Sequence, residues 1–219
     1  MTHKQKIWDK VVVDGEYSHL LSRYSEPYHK ARLLAAAAPH SGDWLHTIPI
    51  SACGLHLDDN AIRVAVGLRL GCAICEAHSC PCVATVDPLS QHALSCKKHP
   101  GRTQRHAWLN DLIHRSLIKA EILAVKEPQG LSRDDGKRPS GLTVVPWQSG
   151  RNATWDVTVA HTLATSYVSQ SAQQAGSATM TASVRKTTKY SILSASHMFF
   201  PVAVETLGPL SDEAHSLVA

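Results

Sequence analysis

Five of the six cysteines of this 219-residue chain lie between residues 72 and 96. Two close ligands, a loop and two more close ligands are the arrangement that a tetrahedral zinc ion requires. Asp87 and Pro88 lie between the ligand pairs and favour a chain reversal there. The sequence therefore predicts a small zinc-stabilised unit. We expect its ligands to be Cys80, Cys82, His92 and Cys96, with Cys75 and His78 as the alternatives.

The composition indicates a folded protein of the cell interior. Hydrophobic residues make up 43% of the chain and charged residues 18%, which is unlike a disordered segment. No apolar run approaches the roughly 20 residues of a membrane span, and the first ten residues lack the apolar core of a signal peptide. We therefore expect a nuclear or cytoplasmic protein that is not secreted. In that setting clustered cysteines more often bind metal than form disulfides, although buried free thiols are the alternative interpretation.

The positive charge of the chain is concentrated in one block. Residues 1–96 carry eight Lys/Arg and nine Asp/Glu, whereas residues 97–119 carry six Lys/Arg and one Asp. A local basic block favours a polyanion such as nucleic acid; a solvated helix face is the alternative. The candidate contacts are Lys97, Lys98, Arg102, Arg105, His106 and Arg115.

Hydrophobic periodicity divides the chain into helical and strand segments. Helices are predicted at 28–38, 57–71 and 103–120, and a further helix follows a loop within 170–195. Strands are predicted at 122–128, 141–147, 153–159 and 199–208. From residue 103 the order is α-β-β-β-α-β, which is typical of an α/β sheet covered by helices. We divide the chain into a helical linker segment (1–70), a zinc knuckle (71–100) and a main domain (101–219).

Asp156 is the residue of the main domain that most suggests chemistry. It lies inside an apolar strand, where a carboxylate costs several kcal/mol unless it is paired or bound to metal. Lys186 and Lys189 share one face of the following helix, Tyr190 comes next, and Glu127 ends the first strand. A carboxylate that holds Mg²⁺ beside a lysine is the core of a metal-dependent phosphodiesterase. The alternative is a structural ion pair.

Several motifs in a fixed order resemble a known family. The chain is similar to the C-terminal region of a non-LTR retrotransposon reverse transcriptase polyprotein, in which a zinc knuckle precedes a restriction-like endonuclease of the PD-(D/E)xK type. The resemblance extends from about residue 31 to 207. The runs that carry it are CEAHSCPCVATVDPLSQHALSC, GRTQRHAWLNDLIHRSL, EPQGLSRDDGKRPSGLTVVPW, WDVTV, RKTTKY and PVAVETLG.

The resemblance implies a restriction-endonuclease-like αβββαβ core and a function. That function is Mg²⁺-dependent nicking of DNA, which exposes a 3′ hydroxyl to prime reverse transcription. The implied partners are DNA, the element RNA and the reverse transcriptase of the parent polyprotein. The knuckle pattern falls on the four predicted zinc ligands. In the nuclease part, the implied residues are Arg105 and His106, the second acidic metal ligand Asp156, and Lys186, Lys189 and Tyr190.

The sequence also departs from the family pattern. The first metal-binding aspartate of the family is replaced at this catalytic position by Ser140, a weak neutral ligand for Mg²⁺. Asp134 and Asp135 lie in the preceding turn, and Val83 stands where a glycine follows the CxC pair. No terminal helix is predicted, so the domain is interpreted as C-terminally truncated. We therefore expect an impaired endonuclease; the alternative is a non-catalytic zinc-dependent DNA- or RNA-binding module or an inactive remnant.

Overall fold

The N-terminal third of the chain is helical in the computed structural model, which describes residues 2–133 and 135–218. The helix predicted at 57–71 is confirmed: the carboxylate of its N-cap Asp58 accepts from the Ala61 amide at 2.7 Å, and Gly71 ends it in the left-handed region. The first helix is largely exposed. Within the described ranges, no helix is both long and apolar enough to span a bilayer. The three helices are α1 (Thr2–Arg23), α2 (Pro27–Ala37) and α3 (Asp59–Leu70).

A small unit follows α3. It contains a two-stranded antiparallel hairpin, in which His78 pairs with Val86, and one short helix. Its elements are β1 (His78–Ser79), β2 (Thr85–Val86) and α4 (Gln91–Ser95).

The rest of the chain forms a four-stranded mixed sheet covered by helices. The strand order is β3-β4-β5-β6, with two antiparallel pairings followed by one parallel pairing. The parallel pair needs a long crossover, which contains two helices. The predicted mixed α/β class is therefore confirmed. The elements are α5 (Gly101–Lys119), β3 (Ala124–Lys126), β4 (Gly141–Thr143), β5 (Ala153–Ala160), α6 (Val168–Ser171), α7 (Ser177–Lys189), β6 (Met198–Glu205) and α8 (Asp212–Val218).

Trp155 is the centre of the main core. Its side chain is fully buried in a cluster with Ile113 and Leu117 of α5 and Val202 of β6. The indole lies against Gly141 of the neighbouring strand, where a Cβ would overlap the ring. The glycine therefore allows the indole to pack directly on the backbone of β4.

The structure differs from the sequence prediction in two places in this domain. Trp108 belongs to the predicted apolar stripe of α5 but is 62% exposed, because only part of the stripe contacts the sheet. No helix is predicted after the last strand, yet α8 buries Ala214 and Leu217 in the main core. Seven residues span two turns, which is too short for a periodic pattern to be recognised.

The segment predicted to be a linker contains one helix that belongs to the core. Ala31 and Ala35 of α2 are fully buried and form a cluster with Leu163, Val168 and Leu207. Residues 27–37 therefore pack against the β5–β6 crossover. The domain boundaries at 70 and 100 stay predictions.

Glu205 generates a prediction about stability. Its buried Oε1 accepts from the amides of Ala178 and Thr179 at 3.1 and 3.3 Å, at the N-terminus of α7. Burial raises the pKa of this carboxyl more than these amides lower it. As the pH rises above the ordinary value of 4.5, the unfolded chain ionises first and the parent protein loses stability. We expect Glu205→Gln to be at least as stable as the parent at pH 7.5, with the difference vanishing below pH 4.5.

Thermal unfolding across this pH range measures the effect. Glu16→Gln, in the exposed part of α1, is the control and should show no pH-dependent difference. A Glu205→Gln protein that unfolds well below the parent at pH 7.5 would contradict the expected destabilisation by the ionised carboxylate.

Candidate functional site

The four predicted zinc ligands meet in the small unit. Their ligand atoms all lie within 4.8 Å of one another. Cys80 Sγ is 3.7 Å from Cys96 Sγ, and Cys82 Sγ is 3.1 Å from His92 Nε2. A tetrahedron with Zn–S distances of about 2.3 Å has edges of about 3.8 Å. The four residues are therefore arranged to hold one zinc ion.

The hairpin and α4 bring these ligands together. Cys80 donates its amide to the Ala84 carbonyl at 2.9 Å, which closes the turn that carries Cys80 and Cys82. His92 and Cys96 are four residues apart at α4, and the Cys96 amide donates to the His92 carbonyl at 2.9 Å. One helical turn therefore places both ligands on the same side of the helix.

The alternative ligands have other contacts. The Cys75 thiol donates to the Asp87 carbonyl at 3.4 Å, and His78 Nδ1 donates to the Glu76 carbonyl at 2.8 Å. Cys72 is exposed. The geometry therefore favours the first ligand set over sets that include Cys75 or His78.

The thiols of the site influence one another. Burial raises the pKa of Cys96, but the Lys98 amide and the neighbouring Cys80 and Cys82 thiols lower it to about 7. For Cys80, the Cys82 amide lowers the pKa, but burial and the neighbouring thiols raise it overall. Zinc binding requires thiolates, so it would release protons and weaken as the pH falls.

Zinc content tests the site. We expect about one zinc per chain in protein purified without chelator. Cys82→Ser should lose most of it and unfold at lower temperature, because structural zinc contributes directly to folding. Cys72→Ser is the matched control and should keep the metal. Elemental analysis and thermal unfolding measure both; a Cys82→Ser protein with full zinc content would exclude this ligand set.

Val83 adopts a left-handed backbone conformation, as is typical of a position where a glycine is expected. Its φ is +75°, and its side chain is 88% exposed. A β-branched residue is strained in the left-handed region, at a cost of about 1–2 kcal/mol. The turn between Cys82 and the second strand therefore contains local strain.

Replacing Val83 should relieve that strain. We expect Val83→Gly to raise the free energy of unfolding by about 0.5–1 kcal/mol, because the relief exceeds the added freedom of glycine in the unfolded chain. Val83→Ala retains a Cβ and should gain less. Urea unfolding in zinc-containing buffer measures both changes. A loss of stability in Val83→Gly would show that the valine side chain stabilises the turn.

A second polar cluster surrounds Asp156 on β5. The Ser140 hydroxyl donates to Asp156 Oδ1 at 2.9 Å, and Lys186 Nζ on α7 donates to Oδ2 at 2.6 Å. The Val157 amide donates to Ser140 Oγ at 3.0 Å. The Asp156 side chain is only 5% exposed and that of Lys186 is 22% exposed. The predicted pairing of Asp156 with a lysine of the following helix is present, and both carboxylate oxygens have partners.

Three more predicted residues lie around this pair. The Tyr190 hydroxyl donates to the Arg138 carbonyl and accepts from Lys189 Nζ, both at 2.7 Å. Burial, assisted by Asp156, raises the pKa of Tyr190. Burial lowers the pKa of Lys189 and of His106; in both, Asp156 opposes this effect. The charge of Asp156 therefore acts on His106, which is half-buried.

The other acidic candidates do not join Asp156. Glu127 is exposed and pairs with Arg138 at 2.5 Å. Asp135 pairs with Arg133 and Lys137. Asp134 lies outside the described residues. In the described ranges, the four zinc ligands are the one group of three or more His, Cys, Asp or Glu residues close enough to hold a metal.

Magnesium therefore does not fit the Asp156 cluster. Mg²⁺ prefers octahedral oxygen coordination with carboxylate ligands. Asp156 supplies one carboxylate, and Ser140 and Lys186 occupy its two oxygens.

The five lysines and arginines among the predicted nucleic-acid contacts divide into two groups. Arg105 is half-buried and donates to the Leu94 carbonyl at 2.8 Å, so it joins α5 to the zinc unit. Arg115 pairs with Asp111 at 2.8 Å. The remaining three are exposed and form no side-chain hydrogen bond or ion pair with the described part of the chain. They are Lys97, Lys98 and Arg102.

Asn110 is a site residue that the sequence prediction does not include. It donates from Nδ2 to the Ser140 carbonyl at 3.0 Å and accepts from Trp155 Nε1 at 2.9 Å. The signal in the sequence is a polar residue within the apolar stripe of α5. Asn110 fixes the strand that carries Ser140.

No protein family, curated protein or solved structure matches this chain.

Proposed function

We propose that this chain is a zinc-stabilised DNA-binding fragment of a retrotransposon endonuclease of the restriction-like type, with a cleavage centre that lacks its first acidic ligand. One observation carries the proposal: the Ser140 hydroxyl lies 2.9 Å from Asp156 Oδ1. A residue at that position can act on the same ion as Asp156 if it is an aspartate. A serine instead forms a neutral hydrogen bond with it.

The arrangement of elements supports a nuclease framework. From α5 onward the order is αβββαβ, apart from the short α6 and the terminal α8. Asp156 lies on β5, one of the two inner strands, and Lys186 reaches it from the crossover helix α7. A lysine beside a strand carboxylate suits stabilisation of charge on a phosphate. The restriction-endonuclease-like identity of this core is part of the proposal.

The missing carboxylate argues against efficient cutting by the parent chain. An Asp at 140 and Asp156 would repel each other without a cation and would share a divalent ion with it. Ser140 removes that negative charge, and Lys186 neutralises the one that remains. The charges of Asp156 and Lys186 therefore cancel without a metal ion.

DNA binding is the activity that this chain retains in our proposal. Lys97 and Lys98 are exposed between the zinc unit and α5, and Arg102 is exposed in the first turn of α5. Lysine and arginine contacts to phosphates release counterions, so the affinity falls steeply with salt. The proposed partners are DNA, the element RNA as a second strand, and the reverse transcriptase of the parent polyprotein; the proposed location is the nucleus or cytoplasm.

Nicking of supercoiled plasmid tests the cleavage centre. We expect the parent to leave the plasmid intact in Mg²⁺, and Ser140→Asp to produce nicked circles that EDTA prevents. Ser140→Asn has a similar shape without the charge and should not cut. Asp156→Ala or Lys186→Ala in the Ser140→Asp background should abolish nicking. Cutting that survives both changes would exclude this centre.

DNA binding is measured on the same proteins by gel shift at low salt. Joint replacement of Lys97, Lys98 and Arg102 by Gln should weaken binding. The slope of log K against log[salt] should become shallower by the amount that corresponds to about three phosphate contacts. Arg115→Gln is the control and should change binding little, because Arg115 already pairs with Asp111. A parent protein that binds no DNA, with a full complement of zinc, would overturn the proposal even if Ser140→Asp folds poorly.

A further inference from the structure

A cavity of about 310 Å³ lies where α2, the zinc unit and the β5–β6 crossover meet. It shares no lining residue with the Asp156 centre. Its walls combine leucines from all three parts with a few polar side chains. A pocket of this size that is mainly apolar and has a few convergent polar groups is typical of a small-ligand site.

Arg32 provides a buried positive charge at this cavity. The residue is 8% exposed, and its Nη2 lies 3.1 Å from His29 Nδ1. Gly71 makes room for the guanidinium, because a Cβ there would overlap it. Glu26 and Asp87 also line the cavity, but neither forms an ion pair with Arg32. A buried arginine without a carboxylate partner is costly, and an anionic ligand would compensate for this cost.

His161 adds a hydrogen-bond donor to the same cavity. It is 5% exposed, and its Nε2 has no hydrogen-bond partner in the described part of the chain. Thr206 Oγ1 accepts from the Thr162 amide at 3.4 Å and lies 2.9 Å from His161 Nδ1, so the threonine hydroxyl can donate to Nδ1. Burial, and then Arg105, lower the pKa of His161 to about 4. The ring is therefore neutral, and in the tautomer that accepts from Thr206 its Nε2–H is a buried donor without a partner in the described residues.

Arg32 thus has no anionic partner in the described residues, and His161 Nε2 has no hydrogen-bond partner there. A phosphate group accepts from a guanidinium and from an imidazole N–H. The remaining wall contains an aromatic ring and leucines, which suit the flat apolar surface of a base. These wall residues are Tyr28, Leu68, Leu89, Leu94, Leu163 and Leu207.

We infer that this cavity binds a nucleotide, with its phosphate on Arg32 and His161 and its base against the leucine wall. The nucleotide is either a free nucleoside monophosphate or the 5′-phosphorylated end of a strand, because both present the same chemical group. The inference does not depend on the Asp156 centre or on cleavage. It would give the chain a second point of contact with nucleic acid, beside the basic residues that follow the zinc unit.

Calorimetric titration of the full chain tests the inference. We expect AMP to bind at least about tenfold more tightly than adenosine or inorganic phosphate. Only AMP offers both a phosphate for Arg32 and His161 and a base for the leucine wall. Equal affinities for AMP and adenosine would overturn the phosphate contact. Equal affinities for AMP and phosphate would overturn the base contact. These comparisons use the parent protein and need no variant to fold.

Variants then locate the site. Arg32→Met and His161→Leu should each lower the affinity for AMP at least about tenfold. Arg151→Met changes an exposed residue and should leave this affinity unchanged. Thermal unfolding identifies a variant that fails to fold. An Arg32→Met protein that folds and binds AMP normally would overturn the assignment.

The two sources of the phosphate are distinguished with one oligonucleotide, prepared with and without its 5′ phosphate. If the phosphorylated form binds more tightly and Arg32→Met removes this difference, the ligand of the cavity is a strand end. AMP binding without that difference identifies a free nucleotide. Because the basic residues contact both forms equally, failure of this comparison is separable from failure of DNA binding itself.

Discussion

A chain of buried hydrogen bonds joins the hydrophobic core to the polar centre. The Trp155 indole donates to Asn110, Asn110 donates to the Ser140 carbonyl, and the Ser140 hydroxyl donates to Asp156. Every member is buried, so each bond replaces water that folding has removed. Neighbouring bonds in a dry interior strengthen one another. The orientation of the Asp156 carboxylate is therefore fixed from the core outward, through α5 and β4.

An aspartate at position 140 would place a second carboxylate beside Asp156. Two adjacent carboxylates destabilise a folded protein unless a cation lies between them. With serine in that position, Asp156 has one neutral and one cationic partner. Residues that are strained or repulsive at functional sites reduce stability, and their loss commonly stabilises the fold. If this position held an aspartate in a cutting ancestor, as we propose, its replacement by serine would stabilise the fold.

The parts that the sequence predicts well depend on local spacing. Asp58 and Gly71 mark the ends of α3, and the spacing of Cys80, Cys82, His92 and Cys96 identifies the ligands that the structure brings together. Lys186 is predicted beside Asp156 because a strand carboxylate needs a partner. These signals lie within a few residues or follow from the cost of burying charge.

The remaining features depend on long-range packing. The bond from Arg105 to Leu94 joins a predicted phosphate contact to the zinc unit, and nothing near Arg105 in the sequence indicates it. The burial of α2 against Leu163 and Leu207 likewise requires residues far apart in the chain. Trp108 fits the helical stripe but lies outside the area that the sheet covers.

The parallel pairing of β5 and β6 also determines the order in which the protein can fold. The β3–β4 and β4–β5 pairings join nearby segments, whereas β6 pairs with β5 only after residues 161–197 have crossed the sheet. Long-range pairings close slowly, because chain entropy is lost before the contact forms. The hydrogen bond between Ser140 and Asp156 can therefore form early, within the local β4–β5 hairpin. The ion pair between Asp156 and Lys186 must wait for the crossover helix α7, so the charge of Asp156 stays unneutralised until that helix docks.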